Sequence, residues 1–357
     1  MSIIKKLILI ILIMIAAVVA YLLVAPVDID PIAWQPPTAP ELSGPYQQNN
    51  KLSSTERISL GNGFAPEDVA IDTAGRLYAG FEDGRIIQVQ ADGTGPREFA
   101  NTGGRPLGLV FDATGNLIVT DAVKGLLSIN SKGEVATLAT GSDGAQFGCL
   151  NDLDVAADGT IYYTEASKKF PMTKFAADIL EHRPNGRLLA YDPKTRSSRT
   201  VLKDLHFANG VAISPDQSFV LVAETGKYRV MRVWLTGPRA GKSEVFIENL
   251  PGFPDGISSN RKDKFWLALV APRNKVLDKT LPYPFVRKVV SRLPKFLQPA
   301  AAHYSFVLGM DSNGRVVENL QDPSPSCYAE IANVLEHNGA LYFGSIAEST
   351  IGKYAIR

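Results

Sequence analysis

The chain has 357 residues, of which 45% are apolar and 20% charged, with a formal net charge of +1. It is long enough to bury a sizeable core as one large domain or two smaller ones. So small a net charge, with no basic stripe interleaved with stacking aromatics, argues against nucleic-acid binding. Cys149 and Cys327 could pair or remain buried free thiols. Two scattered cysteines form neither a disulfide framework nor a zinc site.

Leu7 to Val24 is an uninterrupted apolar or aromatic run preceded by Lys5 and Lys6, close to the roughly 20 residues that cross a bilayer core. The run is long for a signal peptide, and Pro26 follows the Ala25 that might end one. Residues 1–24 are therefore read as an uncleaved anchor. Lysines on the leading side place the N-terminus inside and the rest of the chain on the extracytoplasmic side, which in a bacterium is the periplasmic face of the inner membrane. Residues 25–54 are rich in proline and polar groups and read as a stiff linker outside the fold.

From residue 55 to 357 the chain repeats one module: a polar pair, an alternating strand, a tight turn and a second strand. The clearest copy is FGCLNDLDVAADGTIYYTEAS, residues 147–167. Aligning the turn residues Gly75, Gly115, Gly159, Gln217, Asp263 and Gly339 places Glu67, Leu107, Asn151, Asn209, Asp255 and Ile331 eight residues earlier in the six copies. These positions lie 40, 44, 58, 46 and 76 residues apart. A four-stranded propeller blade takes about 40 to 45 residues, so the pattern predicts an all-β, six-bladed β-propeller. Two insertions absorb the excess: 168–185 in the third blade, with a helix-like TKFAADILEH, and 272–303 in the fifth. A strand within 54–60 is expected to complete the last blade and close the ring, because an open sheet would leave bare edges.

In a propeller the aligned positions converge on the central channel. Four carry side-chain oxygens: Glu67, Asn151, Asn209 and Asp255. Two carboxylates and two carboxamides, without thiolate or imidazole, suit a hard cation, and Ca²⁺ takes about six to eight oxygen ligands with water filling the remainder. Another divalent cation would fit the same donors. The alternative is that Asx residues before strands satisfy local backbone donors.

Several segments together carry a family resemblance: GRPLGLVFDATGNLIVTDA (104–122), NDLDVAADGTIYYTEAS (151–167), EHRPNGRLLAYDP (181–193), FANGVAISPD (207–216), LPGFPDGIS (250–258) and EHNGALYFGS (336–345). The stretch from residue 55 onward resembles the strictosidine synthase-like and gluconolactonase/regucalcin-like six-bladed propellers, nearest the adipocyte plasma membrane-associated protein branch. The resemblance implies that Glu67, Asn151, Asn209 and Asp255 hold a catalytic calcium. It also implies that Asp255 acts as base or nucleophile in hydrolysis of a lactone or aryl ester of a small, apolar molecule. A propeller that only binds partners, with a structural calcium, and a condensing enzyme of the plant strictosidine synthase type are the alternatives.

Departures narrow this expectation. Paraoxonases of the same group carry a histidine where this chain has Leu107. The plant condensing enzymes use a glutamate just before an EHDG-like motif, where this chain reads Ile331-Ala332-Asn333-Val334-Leu335, with Glu330 out of register. His182, His206, His303 and His337 lie in insertions or beside turns, and no G-x-S-x-G motif occurs. Asp121, Glu165 and Glu224 end second strands and read either as channel-lining groups or, more simply, as exposed carboxylates. The fifth-blade insertion holds Arg273, Lys275, Lys279, Arg287, Lys288, Arg292 and Lys295 among apolar residues, a pattern suited to an anionic membrane surface, to a lid over the channel, or to a helix packed on the propeller rim with solvated charges.

Overall fold

The computed structural model describes residues 3–356. Six four-stranded antiparallel sheets are arranged as the blades of a propeller. Blade 1 is Val69–Ile71, Leu77–Gly80, Arg85–Val89 and Arg97–Asn101; blade 2 is Pro106–Phe111, Leu117–Asp121, Gly125–Ile129 and Val135–Ala139. Blade 3 comprises Cys149–Val155, Ile161–Ser167, Gly186–Asp192 and Ser197–Leu205, and blade 4 Ala208–Ile213, Phe219–Glu224, Arg229–Trp234 and Ser243–Ile247. Blade 5 is Gly252–Ser259, Phe265–Pro272, Ser305–Met310 and Val316–Asp322. Blade 6 takes Ile331–His337, Ala340–Ser345 and Thr350–Ala355 from the end of the chain and its outer strand, Glu56–Ser59, from the start. Ser59 pairs with Thr350 and Glu56 with Lys353, so the expected closing strand is present.

The core is a ring of apolar layers, one between each pair of neighbouring blades. Side chains alternate across a strand, so the central strands feed two layers at once. Trp266 and Val307 pack toward Val334 and Phe343 of blade 6, whereas Leu267 and Phe306 join Leu221 and Ala223 of blade 4. The closing strand contributes Ile58, which sits with Val69 and Leu77 of blade 1 and Ile351 of blade 6. Cys149 and Cys327 are both buried and free.

Both insertions fall between the second and third strands of their blades. Helix α1 is the N-terminal apolar segment, Ile3–Val24, with no residue buried; its 22 residues are long and apolar enough to cross a membrane. Helix α2, Phe175–Glu181, lies in the blade 3 insertion, and α3, Lys275–Thr280, and α4, Pro284–Arg292, lie in the blade 5 insertion. The insertions pack together through Leu180, Leu277 and Leu281.

The proline-rich stretch is not a linker standing clear of the fold. Ile29 and Leu52 are buried, and Trp34 stacks on His182 with ring centroids 4.4 Å apart. The stretch runs between the insertions as a strap. The Ile32 amide donates to the Glu181 carbonyl at 3.2 Å and the Trp34 amide to the Leu281 carbonyl at 3.1 Å. Further on, the Asn49 carboxamide bridges to Asn319 and Gln321 of blade 5. Proline limits what a segment donates, but its carbonyls remain acceptors. Distant donors use them: Arg273 reaches the Pro37 carbonyl at 2.8 Å and Asn249 the Thr38 carbonyl at 3.0 Å.

Arg287 holds this assembly together. It is 0% exposed, and its guanidinium donates to the carbonyls of Leu180, Leu281 and Ile32, joining strap, α2 and α3. Arg287→Ala would leave the Leu180 and Ile32 carbonyls without this donor, each at about 1 to 3 kcal/mol, while Leu281 keeps the Trp34 amide. The expected outcome is faster proteolytic cleavage within 25–54 and 272–303 while the far-ultraviolet β-sheet signal persists. Unchanged cleavage would show that the strap is held by other contacts.

Candidate metal centre and cavity

The inner strands begin around the channel, and Glu67, Asn151, Asn209 and Asp255 line one small cavity of about 10 Å³ together with Asp68, Leu107, Asp152, Gly256, Ala332 and Asn333. All four side chains anticipated from the repeat are buried. The ring thus gathers blades 1, 3, 4 and 5, with apolar Leu107 from blade 2.

Blade 6 differs from the expected register. Val334 pairs with Phe343 as Val69 pairs with Ala79 and Leu153 with Tyr163. The residue two before it, Ala332, therefore occupies the ring position, not Ile331. The cause is the turn. Blade 6 turns through Asn338 and Gly339, both at positive φ, and His337 pairs directly with Ala340. In blade 1, by contrast, Ile71 pairs with Leu77 across five loop residues. A two-residue hairpin lets the strand run further before it turns, so counting back from the turn overshoots.

The residue after each ring position explains how the strands approach so closely. In blades 1, 3 and 6 it is Asp68, Asp152 and Asn333, and in blades 2, 4 and 5 it is Gly108, Gly210 and Gly256. Asp68 accepts from its own neighbour, the Val69 amide, and from the Leu109 amide of blade 2, both at 2.7 Å. Asp152 likewise accepts from Leu153 at 2.8 Å and from Val211 of blade 4 at 2.9 Å. Asn333 donates to Asp68 at 2.6 Å and accepts from Val334. These side chains point sideways and staple neighbouring blades. The glycines leave room: a Cβ on Gly210 would lie 2.5 Å from the Asp255 carbonyl oxygen, and one on Gly256 2.5 Å from that of Ala332.

The electrostatics are those of carboxyls removed from water. Burial raises the pKa of Glu67, with the Arg105 guanidinium, 3.1 Å away, working against it. Burial also pushes Asp255 well above the usual carboxylate range; the charge of Glu67 adds to this and the Asn209 side chain opposes it. Asp68 rises to about 7, again chiefly through burial. Among the described residues Asp255 has no cationic partner, and the Asn151 carboxamide Nδ2 is buried without a hydrogen bond. A carboxylate pair of which only Glu67 has a cationic partner, beside an unpartnered carboxamide and with no imidazole or thiolate, fits a hard divalent cation. Among the described residues no group of three or more His, Cys, Asp or Glu is placed to hold a metal, so any such ion depends on the carboxamides.

A much larger cavity of about 820 Å³ opens directly above the ring, and Glu67, Asn209 and Asp255 form part of its floor. Its walls are mostly apolar: Phe207 and Phe253 from the blades, Met172, Phe175 and Ile179 from the blade 3 insertion, and Leu277 from α3. Arg105, Glu82 and Glu330 are its other charged lining residues. Sequence reasoning missed Arg105, whose approach to Glu67 spans 38 positions and leaves no local signal.

The strand-end carboxylates are not exposed. Asp121, Glu165 and Glu224 are buried, and each accepts a backbone amide from the segment leading into its own blade: Arg105 at 3.0 Å, Gly148 at 2.6 Å and His206 at 2.9 Å. Glu165 also pairs with Arg187 and Glu224 with Arg229. These are structural anchors. His206 turns its Nδ1 to Glu224 at 3.0 Å and lies against His182, so it faces neither cavity.

Comparison with known proteins settles the family. Residues 151–238 match the strictosidine synthase family model and residues 44–89 the strictosidine synthase-like N-terminal model. Strictosidine synthase-like protein 10 of Arabidopsis thaliana is 36% identical over 88% of this chain and 91% of its own. This chain belongs to the strictosidine synthase-like family. The adipocyte plasma membrane-associated protein of Bos taurus is 34% identical over 91% of this chain and 83% of its own. Among solved structures, a gluconolactonase from Xanthomonas campestris matches with TM-score 0.61 at 18% identity, over 86% of this chain and 91% of that one. A regucalcin from Agrobacterium tumefaciens, described as a calcium-binding protein, also gives 0.61 at 13% identity, over 84% and 93%. At those identities the likeness extends to the six-bladed fold. At the blade 6 ring position this chain has Ala332, which supplies no carboxylate.

Two outcomes follow from these contacts. Gly210→Ala should lower stability by more than about 2 kcal/mol, because backbone must move in two blades, read as the denaturation midpoint; a neutral effect would mean the blades are not in that contact. His182 is buried and its pKa is pushed down to about 2, by burial first and then by His206, Lys227 and Arg287. Its folded pKa lies below the unfolded value of 6.5, so the unfolded chain binds the proton first. Stability is held above pH 6.5 and falls below it by about 1.4 kcal/mol per pH unit. His182→Asn should flatten that acid slope in denaturant titrations between pH 7.5 and 5; an unchanged slope would assign it elsewhere.

Proposed function

We propose that this protein is a calcium-dependent hydrolase acting on a lactone or carboxylic ester, aryl esters included, of a small apolar molecule. The observation that carries this reading is the placement of Glu67, Asn209 and Asp255 on the floor of an apolar cavity of about 820 Å³, within the range of about 300 to 1,000 Å³ common for small-molecule sites. Family membership and the fold shared with a gluconolactonase support it.

Glu67, Asn151, Asn209 and Asp255 would hold the ion. A divalent cation bound there supplies Lewis acidity to a carbonyl and acidity to a water. The apolar walls take the organic part of the substrate and exclude bulk water from its carbonyl, which strengthens every polar interaction at the floor. Asp255 Oδ atoms accept the proton of the attacking water or attack the carbonyl directly. Arg105, held by Glu67 and by the Ala65 carbonyl at 3.0 Å, places positive charge beside the oxygen on which negative charge develops. A condensing reaction of the plant type has less support, because Ala332 offers no group to manage an amine proton.

The full chain in detergent, stripped of metal by chelation and then supplied with calcium, is assayed on aryl esters and lactones. Turnover should vanish on stripping, return with calcium, and fall by about 10²-fold or more in Asp255→Asn with the sheet signal retained. If neither substrate class is hydrolysed with calcium present, the hydrolase reading is wrong. Calcium binding without turnover would then favour a binding propeller.

A further inference from the structure

We propose that the tip of the blade 5 insertion, centred on Phe296 and Leu297, is a second membrane contact that dips into the leaflet at the end of α1 and brings the mouth of the apolar cavity to the bilayer surface. The argument begins at the end of α1. The Leu22 carbonyl would normally accept from the amide four residues on, but that residue is Pro26, which has none. Arg292 of α4 fills the vacancy, donating to the Leu22 carbonyl at 2.8 Å and to the Ala25 carbonyl at 2.7 Å. A cationic group at a helix C-terminus is also favoured by the helix dipole. The last turn of α1 marks where the apolar span ends, so Arg292 fixes α4 at the level of the headgroups.

What surrounds that point is apolar and uncovered. Phe296 is 85% exposed, Tyr283 60%, and Phe285 and Leu297 57% each. Phe296 lies only four positions after Arg292, a reach of at most about 14 Å. An aromatic group of this kind beside a membrane span belongs at the interface, where rings meet headgroups and acyl chains. Directly after the tip, Gln298, Pro299, Ala300 and Ala301 line the large cavity. The edge of the cavity and the membrane tip are therefore one continuous segment.

The structure also shows that charge is the lesser part of this contact. Of the basic residues in the insertion, Arg287 is buried on carbonyls, Arg273 pairs with Asp278 at 2.9 Å, Lys288 with Asp30 at 3.4 Å, and Arg292 is engaged by α1. Lys275, Lys279 and Lys295 remain exposed. Insertion of apolar side chains, helped by three lysines, is what this surface offers.

The test uses the full chain reconstituted in phosphatidylcholine vesicles containing phosphatidylglycerol, with bromine on the acyl chains in matched preparations. Phe296→Trp reports the tip, Tyr21→Trp reports α1 in the bilayer, and Val135→Trp, on the exposed outer strand of blade 2, reports water; wild-type emission is subtracted throughout. Because Phe296 is so exposed, the substitution leaves folding intact. The expected result is that Trp at 296 emits to the blue of Trp at 135 and loses intensity in brominated lipid, at a depth of about 5 to 10 Å. Its emission should change little as the phosphatidylglycerol fraction is varied. Emission like that of Trp at 135, quenched by aqueous acrylamide and indifferent to bromine while Trp at 21 is quenched, overturns the proposal. Quenching that appears only at high phosphatidylglycerol overturns the assignment to apolar insertion.

Discussion

Six strands must begin within touching distance of one axis, and most of what distinguishes this chain follows from that crowding. Where backbones from adjacent blades come closest, either the side chain is removed, as at Gly108, Gly210 and Gly256, or it becomes part of the joint, as at Asp68, Asp152 and Asn333. One residue earlier, crowding has the opposite effect. Side chains that would be solvated in a single hairpin are pressed together out of water, and their charges acquire a cost that only a partner can offset. Arg105 offsets it at Glu67 alone. The chemistry at the centre is a by-product of the geometry that closes the ring.

Much of this was legible in the chain because the signal is local and repeated. Five blades share the distance from turn to ring position, so Glu67, Leu107, Asn151, Asn209 and Asp255 could be found by counting. Counting failed in blade 6, whose Asn338-Gly339 turn is two residues long, and the error of one residue moved the assignment from Ala332 to Ile331. Such a slip exchanges the two faces of a strand. Relations between distant segments left no comparable trace. Nothing near Glu165 signals that it anchors the Gly148 amide, and nothing near Arg287 signals that a run of basic residues hides a buried one. The strap reads as a linker because its partners lie across the fold, in the two insertions and blade 5.

The insertions give the propeller a roof. Helices α2 and α3 cover the ring on one side only, and the strap threads between them before reaching the closing strand. A single stretch, residues 25–59, therefore runs from the N-terminal apolar helix across the roof to the outer edge of blade 6. This stretch is joined to the insertions and the propeller along its whole path through Asp30, Trp34, Asn49 and Arg57.

That same path has a kinetic meaning. The strand at residues 56–59 precedes blade 1 in the chain, yet its sheet partner among the described residues, Thr350–Lys353, is made only after the other five blades. Until that partner is made, one edge of the growing structure stays unpaired. Pairings this remote in sequence are slow to form and expose strand edges meanwhile. Loss of the strand Thr350–Ala355 would leave a ring that cannot shut, because it joins Ala340–Ser345 to Glu56–Ser59.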